Sequence, residues 1–244
     1  MNTIYMRTSS TVTIVLIAIC IAMFGLETYL GGSEDVNVLI HLGAKYNPGI
    51  ENGEYWRFFM PMFLHIGIIH LVFNLFSLWM LGRHAERIYG HLRFFLIFFA
   101  SGVSGIAASW YFNPDAVSAG ASTSIYGIMG AILILLIVRR TDPYMRGIAR
   151  SFIPMAIINI AYNFIPGFGI GGHSMDVAGH FGGLACGLLL GLLLVQTRRN
   201  CPQGNRFYNQ AITNRTHTSR FRDRGVVPIA RGSYVGASKY YRNY

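Results

Sequence analysis

Gly120-Ala121-Ser122-Thr123-Ser124-Ile125-Tyr126-Gly127-Ile128-Met129-Gly130-Ala131-Ile132-Leu133-Ile134-Leu135-Leu136-Ile137-Val138-Arg139-Arg140 begins small and hydroxylic, turns aliphatic and stops at two arginines. The uncharged part, 120–138, is close to the roughly 20 residues a helix needs to cross the hydrocarbon core of a bilayer. A helix satisfies its own backbone there, which lipid cannot do for it. Four-residue spacing puts Ser122, Tyr126 and Gly130 on one helical face. The small residues at the entrance leave room around Ser122.

Outward from this run, five further windows have similar character, at about 10–27, 63–82, 92–112, 148–166 and 177–197. At 52% hydrophobic and 12% charged, with a mean hydropathy of +0.40, the chain is too apolar for a soluble domain. The expected class is all-α: a polytopic membrane protein of six transmembrane helices. Cys20, Cys186 and Cys201 stand singly, so neither a disulfide framework nor a CxxC metal site is available, and no metal or cofactor is expected.

The formal charge of +10 is explained by its placement. Arg7 precedes span 1, three arginines lie between spans 2 and 3, four between spans 4 and 5, and ten Lys/Arg follow span 6. The alternate loops carry only Lys45 and Arg57, so the positive-inside rule predicts a multi-pass protein with both termini cytoplasmic. A signal-peptide reading of span 1 fails because no small-x-small cleavage site follows and further spans do. Residues 28–62 form a long outer connection whose Tyr55-Trp56-Arg57-Phe58-Phe59 patch suits the bilayer interface. Two regions are expected: a six-helix domain over 1–199 and a disordered basic cytoplasmic tail over 200–244. That tail answers the negative lipid surface most simply, by contact with anionic lipid. Nucleic acid is the weaker reading of the same composition.

Polar side chains inside a span are costly, so each is a candidate for function. His70 and Asn74 stand four apart in span 2, on one face. Span 6 carries His180 within a seam of Gly179, Gly183, Gly187 and Gly191, which lets helices approach closely. Each motif alone suits packing or capping as well as function. Counting about 20 residues from the arginines that close each span puts Ser122 and His180 a few residues inside the outer boundary, with His70 and Asn74 somewhat deeper. Ser122 and His180 share a level, and with His70 and Asn74 they can converge in the outer half, which supplies what acyl transfer needs: a nucleophile, a base for its proton and donors for an oxyanion. Ser124, about 200° around the helix from Ser122, faces away from any histidine that Ser122 meets.

These residues resemble the rhomboid family of intramembrane serine proteases, over about four fifths of the chain. The family pattern His-x4-His-x3-Asn falls on His65, His70 and Asn74, and its GxS on Gly120 and Ser122, with the aromatic four residues on at Tyr126. The His-x2-Gly of span 6 falls on His180 and Gly183, the Trp-Arg of the outer loop on Trp56 and Arg57, and the acid ending span 2 on Glu86. The resemblance implies a rhomboid bundle with an interfacial first outer loop and a Ser122–His180 dyad without an acidic third member. It implies Tyr126 packed on the His180 ring, with His70, Asn74 and the Ser122 amide serving the oxyanion. Gly120 and Gly183 would support the site, and Trp56, Arg57 and Glu86 would be structural.

One departure is Thr123, where the family commonly has glycine; a β-branched residue there is expected to tighten the turn around the oxyanion site. Asp176 reads as a helix cap rather than a triad member. The glycine-rich 164–173 stretch reads as a mobile connection, and the resemblance implies that it caps the site and moves as a substrate helix enters. Implied partners are membrane lipids and transmembrane helices of substrate proteins, cut near the outer face of a bacterial plasma membrane. A rhomboid-like pseudoenzyme is the competing class, and a transporter would need polar groups lining a path to both faces.

Overall fold

The computed structural model describes residues 9–141, 143–162 and 176–194. Their regular secondary structure is all helical, apart from one isolated antiparallel bridge between Lys45 and Ser118. The helices are α1 (Thr11–Tyr29), α2 (Val36–His41), α3 (Asn47–Glu51), α4 (Gly67–Ser77), α5 (Arg83–Tyr89), α6 (His91–Phe112), α7 (Ser122–Val138), α8 (Pro143–Tyr162) and α9 (Val177–Leu194). Two 3₁₀ turns, Tyr55–Phe58 and Met60–Phe63, lead into α4, and a π-helical turn over Leu78–Gly82 joins α4 to α5. The expected tail over 200–244 and the whole of the 164–173 stretch lie outside the described residues.

The second span begins later and runs further than its hydropathy suggests. Pro61 holds a 3₁₀ turn and Leu64 is extended at ψ 151°, so helix starts only at Gly67, whose φ of +78° glycine adopts without strain. Past residue 82 the helix continues through the π turn to Tyr89, where Gly90 at φ +83° stops it. α8 likewise starts at Pro143, a proline suited to a first turn.

α7 is the axis of the fold. Residues Thr123 to Ile132 are all buried, as befits a helix apolar on every side. It packs between α6 and α9 through missing side chains. A Cβ on Gly187 would strike the Gly127 carbonyl, one on Gly183 the Thr123 carbonyl, and one on Gly191 would lie 2.7 Å from the Ala131 Cα. The seam therefore brings backbone against backbone at every turn, the geometry that close helix pairs in lipid use. Tyr89 closes its lower end, its hydroxyl donating to the Ala131 carbonyl at 2.9 Å.

Glu86 is wholly buried and takes the Val12 and Thr13 amides at 2.8 Å each and the Thr13 hydroxyl at 2.6 Å. It thereby satisfies amides at the start of α1 that have no helical partner. Arg57 donates to the carbonyls of Ile40, at 2.7 Å, and Ala44, at 3.0 Å, and pairs with Glu54, tying the α2 and α3 turns together. Trp56 is half exposed beside it. Large apolar side chains line the outside of the helices, among them Ile14 and Ile21 on α1, Phe73 and Phe76 on α4, and Leu189 and Leu193 on α9. Among the described residues α1, α6 and α9 are long and apolar enough to cross a membrane.

Candidate active site

Ser122 is the first residue of α7 and His180 lies in the first turn of α9, so the glycine seam between these helices sets their separation. His180 Nε2 stands 2.9 Å from Ser122 Oγ, within hydrogen-bond reach. The His180 ring lies flat on Tyr126, with centroids 4.4 Å apart and planes 2° from parallel. Such a stack fixes the ring's tilt, leaving the Nε2 edge to face the serine. Ser124 is fully buried towards Gly102 on the far side of α7 and does not share the site.

Gly120 shapes the floor. Its φ of +139° belongs to glycine, and a Cβ there would lie 2.6 Å from His70 Cε1 and 3.5 Å from Ser122 Oγ. Its amide donates to the Pro61 carbonyl at 2.8 Å, anchoring the approach to the serine on the turn before α4. His70 is thus beside Ser122, and its ring centroid is 5.5 Å from that of His65. Asn74, one turn further along α4, is buried and donates through Nδ2 to the His70 carbonyl at 3.0 Å.

Thr123 packs towards α6, where a Cβ on Gly105 would lie 2.7 Å from Thr123 Cβ and 2.6 Å from the Gly179 carbonyl. The absent side chain at Gly105 makes the space that the extra threonine atoms fill.

Glu27 and the role of Lys45 escaped the reading of the sequence, and Asp176 does more than its expected cap. Glu27, buried near the end of α1, accepts the His65 amide at 3.0 Å and holds the turn before α4. Asp176 accepts the Gly179 amide at 3.0 Å, as a cap should, but also Ser118 Oγ at 2.8 Å and Asn113 Nδ2 at 3.0 Å. Lys45 is wholly buried behind them, donating to the carbonyls of Asn113, at 2.5 Å, and Ala116, at 2.8 Å. The available signal was a lysine in an outer connection otherwise nearly free of cations. Among the described residues no cluster of His, Cys, Asp or Glu has the makings of a metal site.

Residues 52–197 match the Rhomboid domain family. Rhomboid protease GluP of Bacillus subtilis is 41% identical over 184 residues, covering 75% of this chain and 35% of that protein. Rhomboid-like protease 1 of Toxoplasma gondii is 32% identical, over 69% of this chain and 57% of its own length. RHOMBOID-like protein 6, mitochondrial, of Arabidopsis thaliana is 35% identical, over 68% and 52%. The chain therefore spans between about a third and three fifths of these relatives. With its apolar helices and a family match over most of the helical region, the chain is a multi-pass membrane protein and belongs to the rhomboid family.

Proposed function

We propose that the protein is an intramembrane serine endopeptidase that cleaves transmembrane segments of other membrane proteins by a Ser122–His180 dyad. The observation that carries this reading is the 2.9 Å approach of His180 Nε2 to Ser122 Oγ with the ring stacked on Tyr126. Serine is nearly inert as a free alcohol, and a positioned base activates it. His180 Nε2 takes the hydroxyl proton as Oγ attacks the scissile carbonyl carbon. The oxyanion forms beside the Ser122 amide, His70 and Asn74. His180 then passes the proton to the leaving amine, and an acyl-enzyme remains. Water, deprotonated by the same nitrogen, attacks the ester and restores the serine with release of the new carboxyl end. Base catalysis contributes about 10²–10⁴ in rate and each oxyanion donor about 10²–10³.

The setting we propose has six spans, an interfacial first connection and both termini in the cytoplasm of a bacterium, which places Ser122 towards the outer face of its plasma membrane. Substrate helices must unwind locally before attack because their carbonyls are already bonded. The domain occupies 1–199, and the 200–244 tail meets anionic lipid. Gly120 and Gly183 support the site through close approach, and Trp56, Arg57 and Glu86 are structural.

A serine-directed fluorophosphonate tests the reading. It labels wild type and not Ser122→Ala; equal labelling of the two ends the dyad assignment and favours a helix-binding pseudoenzyme.

A further inference from the structure

Behind the dyad lies a polar cluster that capping alone does not explain. A cap needs one acceptor for a first-turn amide, and Asp176 provides this to Gly179 with Oδ1. The same carboxylate also takes Asn113 Nδ2, and its second oxygen takes Ser118 Oγ, which sits 3.2 Å from the Ser109 hydroxyl. Ser118 is four residues ahead of the nucleophile and is bridged to Lys45 in both directions, by amide-to-carbonyl bonds of 2.9 and 3.2 Å. Lys45 Nζ binds the Asn113 carbonyl, while the side chain of the same asparagine reaches Asp176. The Asp176 carbonyl in turn accepts the His180 amide at 3.0 Å. The loop that delivers the nucleophile and the helical turn that delivers the base are therefore held by one half-buried carboxylate.

We propose that Asp176, balanced by Lys45, is a positioning residue for proteolysis: it locks the first turn of α9 to the loop before Ser122 and presents negative charge to the His180 ring as that ring takes the serine proton. This deepens the dyad reading and rests on it. Burial alone would raise the Asp176 carboxyl, but hydrogen bonds from Ser109, the Gly179 amide, Ser118 and Asn113 outweigh it and hold the group below the usual carboxylate range. The charge is therefore present at neutral pH. Burial lowers the Lys45 ammonium, against the pull of Asp176 and Asp115. His180 is faced by His70 from α4, by Asp176 immediately before its own helix and by the Tyr126 ring from α7; Ser109 of α6 and Asn113 just beyond that helix bring neutral groups to Asp176.

The test is the pH dependence of fluorophosphonate labelling in wild type, Asp176→Asn and Lys45→Met, each full length in liposomes. Asparagine keeps the shape and the cap but loses the charge. Its labelling at pH 7 should fall about tenfold and the acid limb of its profile should move down by about one pH unit, the scale of one charge a helical turn away. Lys45→Met should move the limb up, because the carboxylate then acts unbalanced. Opposite movements are a signature that loosened packing cannot produce. Limbs that stay at the wild-type position, or that move together, overturn the proposal whatever the rates do. Should Asp176→Asn fail to fold, the direction of the Lys45→Met limb decides alone. Wild type that labels no better than Ser122→Ala removes the dyad itself, and this inference with it.

Discussion

The seam between α7 and α9 and the helix α4 meet at Ser122, yet they are built in opposite ways. Along the seam, Gly183, Gly187 and Gly191 set backbone on backbone, and α7 is buried on every side from Thr123 to Ile132. On α4 only Gly67, Leu71 and Asn74 are buried, while Ile68, Ile69, Val72, Phe73 and Phe76 face outward. The seam carries the nucleophile and base of the proposed dyad, whose 2.9 Å spacing tolerates little error. α4 carries the proposed oxyanion donors, and it is held at its ends, by Glu27 through His65 and by Glu86 beyond the π turn. Geometry that must be exact in the resting protein is thus assigned to packing, and geometry needed at the transition state to a helix tethered by polar contacts.

Substitutions can break this contrast, beginning in the seam. Gly187→Val would drive carbons into the Gly127 carbonyl, which cannot retreat. It should cost more than about 3 kcal/mol in detergent unfolding and abolish cleavage. Asn74→Ala on α4 should leave the unfolding midpoint within about 1 kcal/mol but lower kcat by about 10²–10³, as loss of an oxyanion donor does. Equal losses of stability and rate at Asn74 would show that α4 is packed like the seam.

Glu86→Gln probes a tether. Glu86 accepts the Val12 and Thr13 amides and the Thr13 hydroxyl, and the amide nitrogen of a glutamine cannot accept at one of those places. Wild type should exceed Glu86→Gln by about 1–3 kcal/mol in the same unfolding measurement. The smallest effect belongs to the outward face of α4. Phe73→Leu should change stability by less than about 0.5 kcal/mol, checked by the same unfolding measurement.

Much of the contrast was legible in the sequence because hydropathy and four-residue spacing report long helices and shared faces. The bounds expected for α6 and the start expected for α9 fall within a residue of those observed, and the glycine spacing of α9 announced the seam. The start of α4 was not legible, because Leu64 is apolar and yet extended behind Pro61. The packing of Thr123 was not legible, because the space it fills belongs to Gly105, distant in the chain. Asp176 read as a cap and Lys45 as a loop charge for the same reason: their other partners, Asn113, Ser118 and the carbonyls around them, come from the end of α6 and the loop before α7. Pairings of that kind follow from the fold and are invisible to local pattern.

The most direct measurement reconstitutes purified wild type and Ser122→Ala in liposomes with a substrate bearing one transmembrane helix, and follows the cut product. The account predicts cleavage by wild type and a loss of at least about 10³-fold on Ser122→Ala; undiminished cleavage by the variant would contradict it.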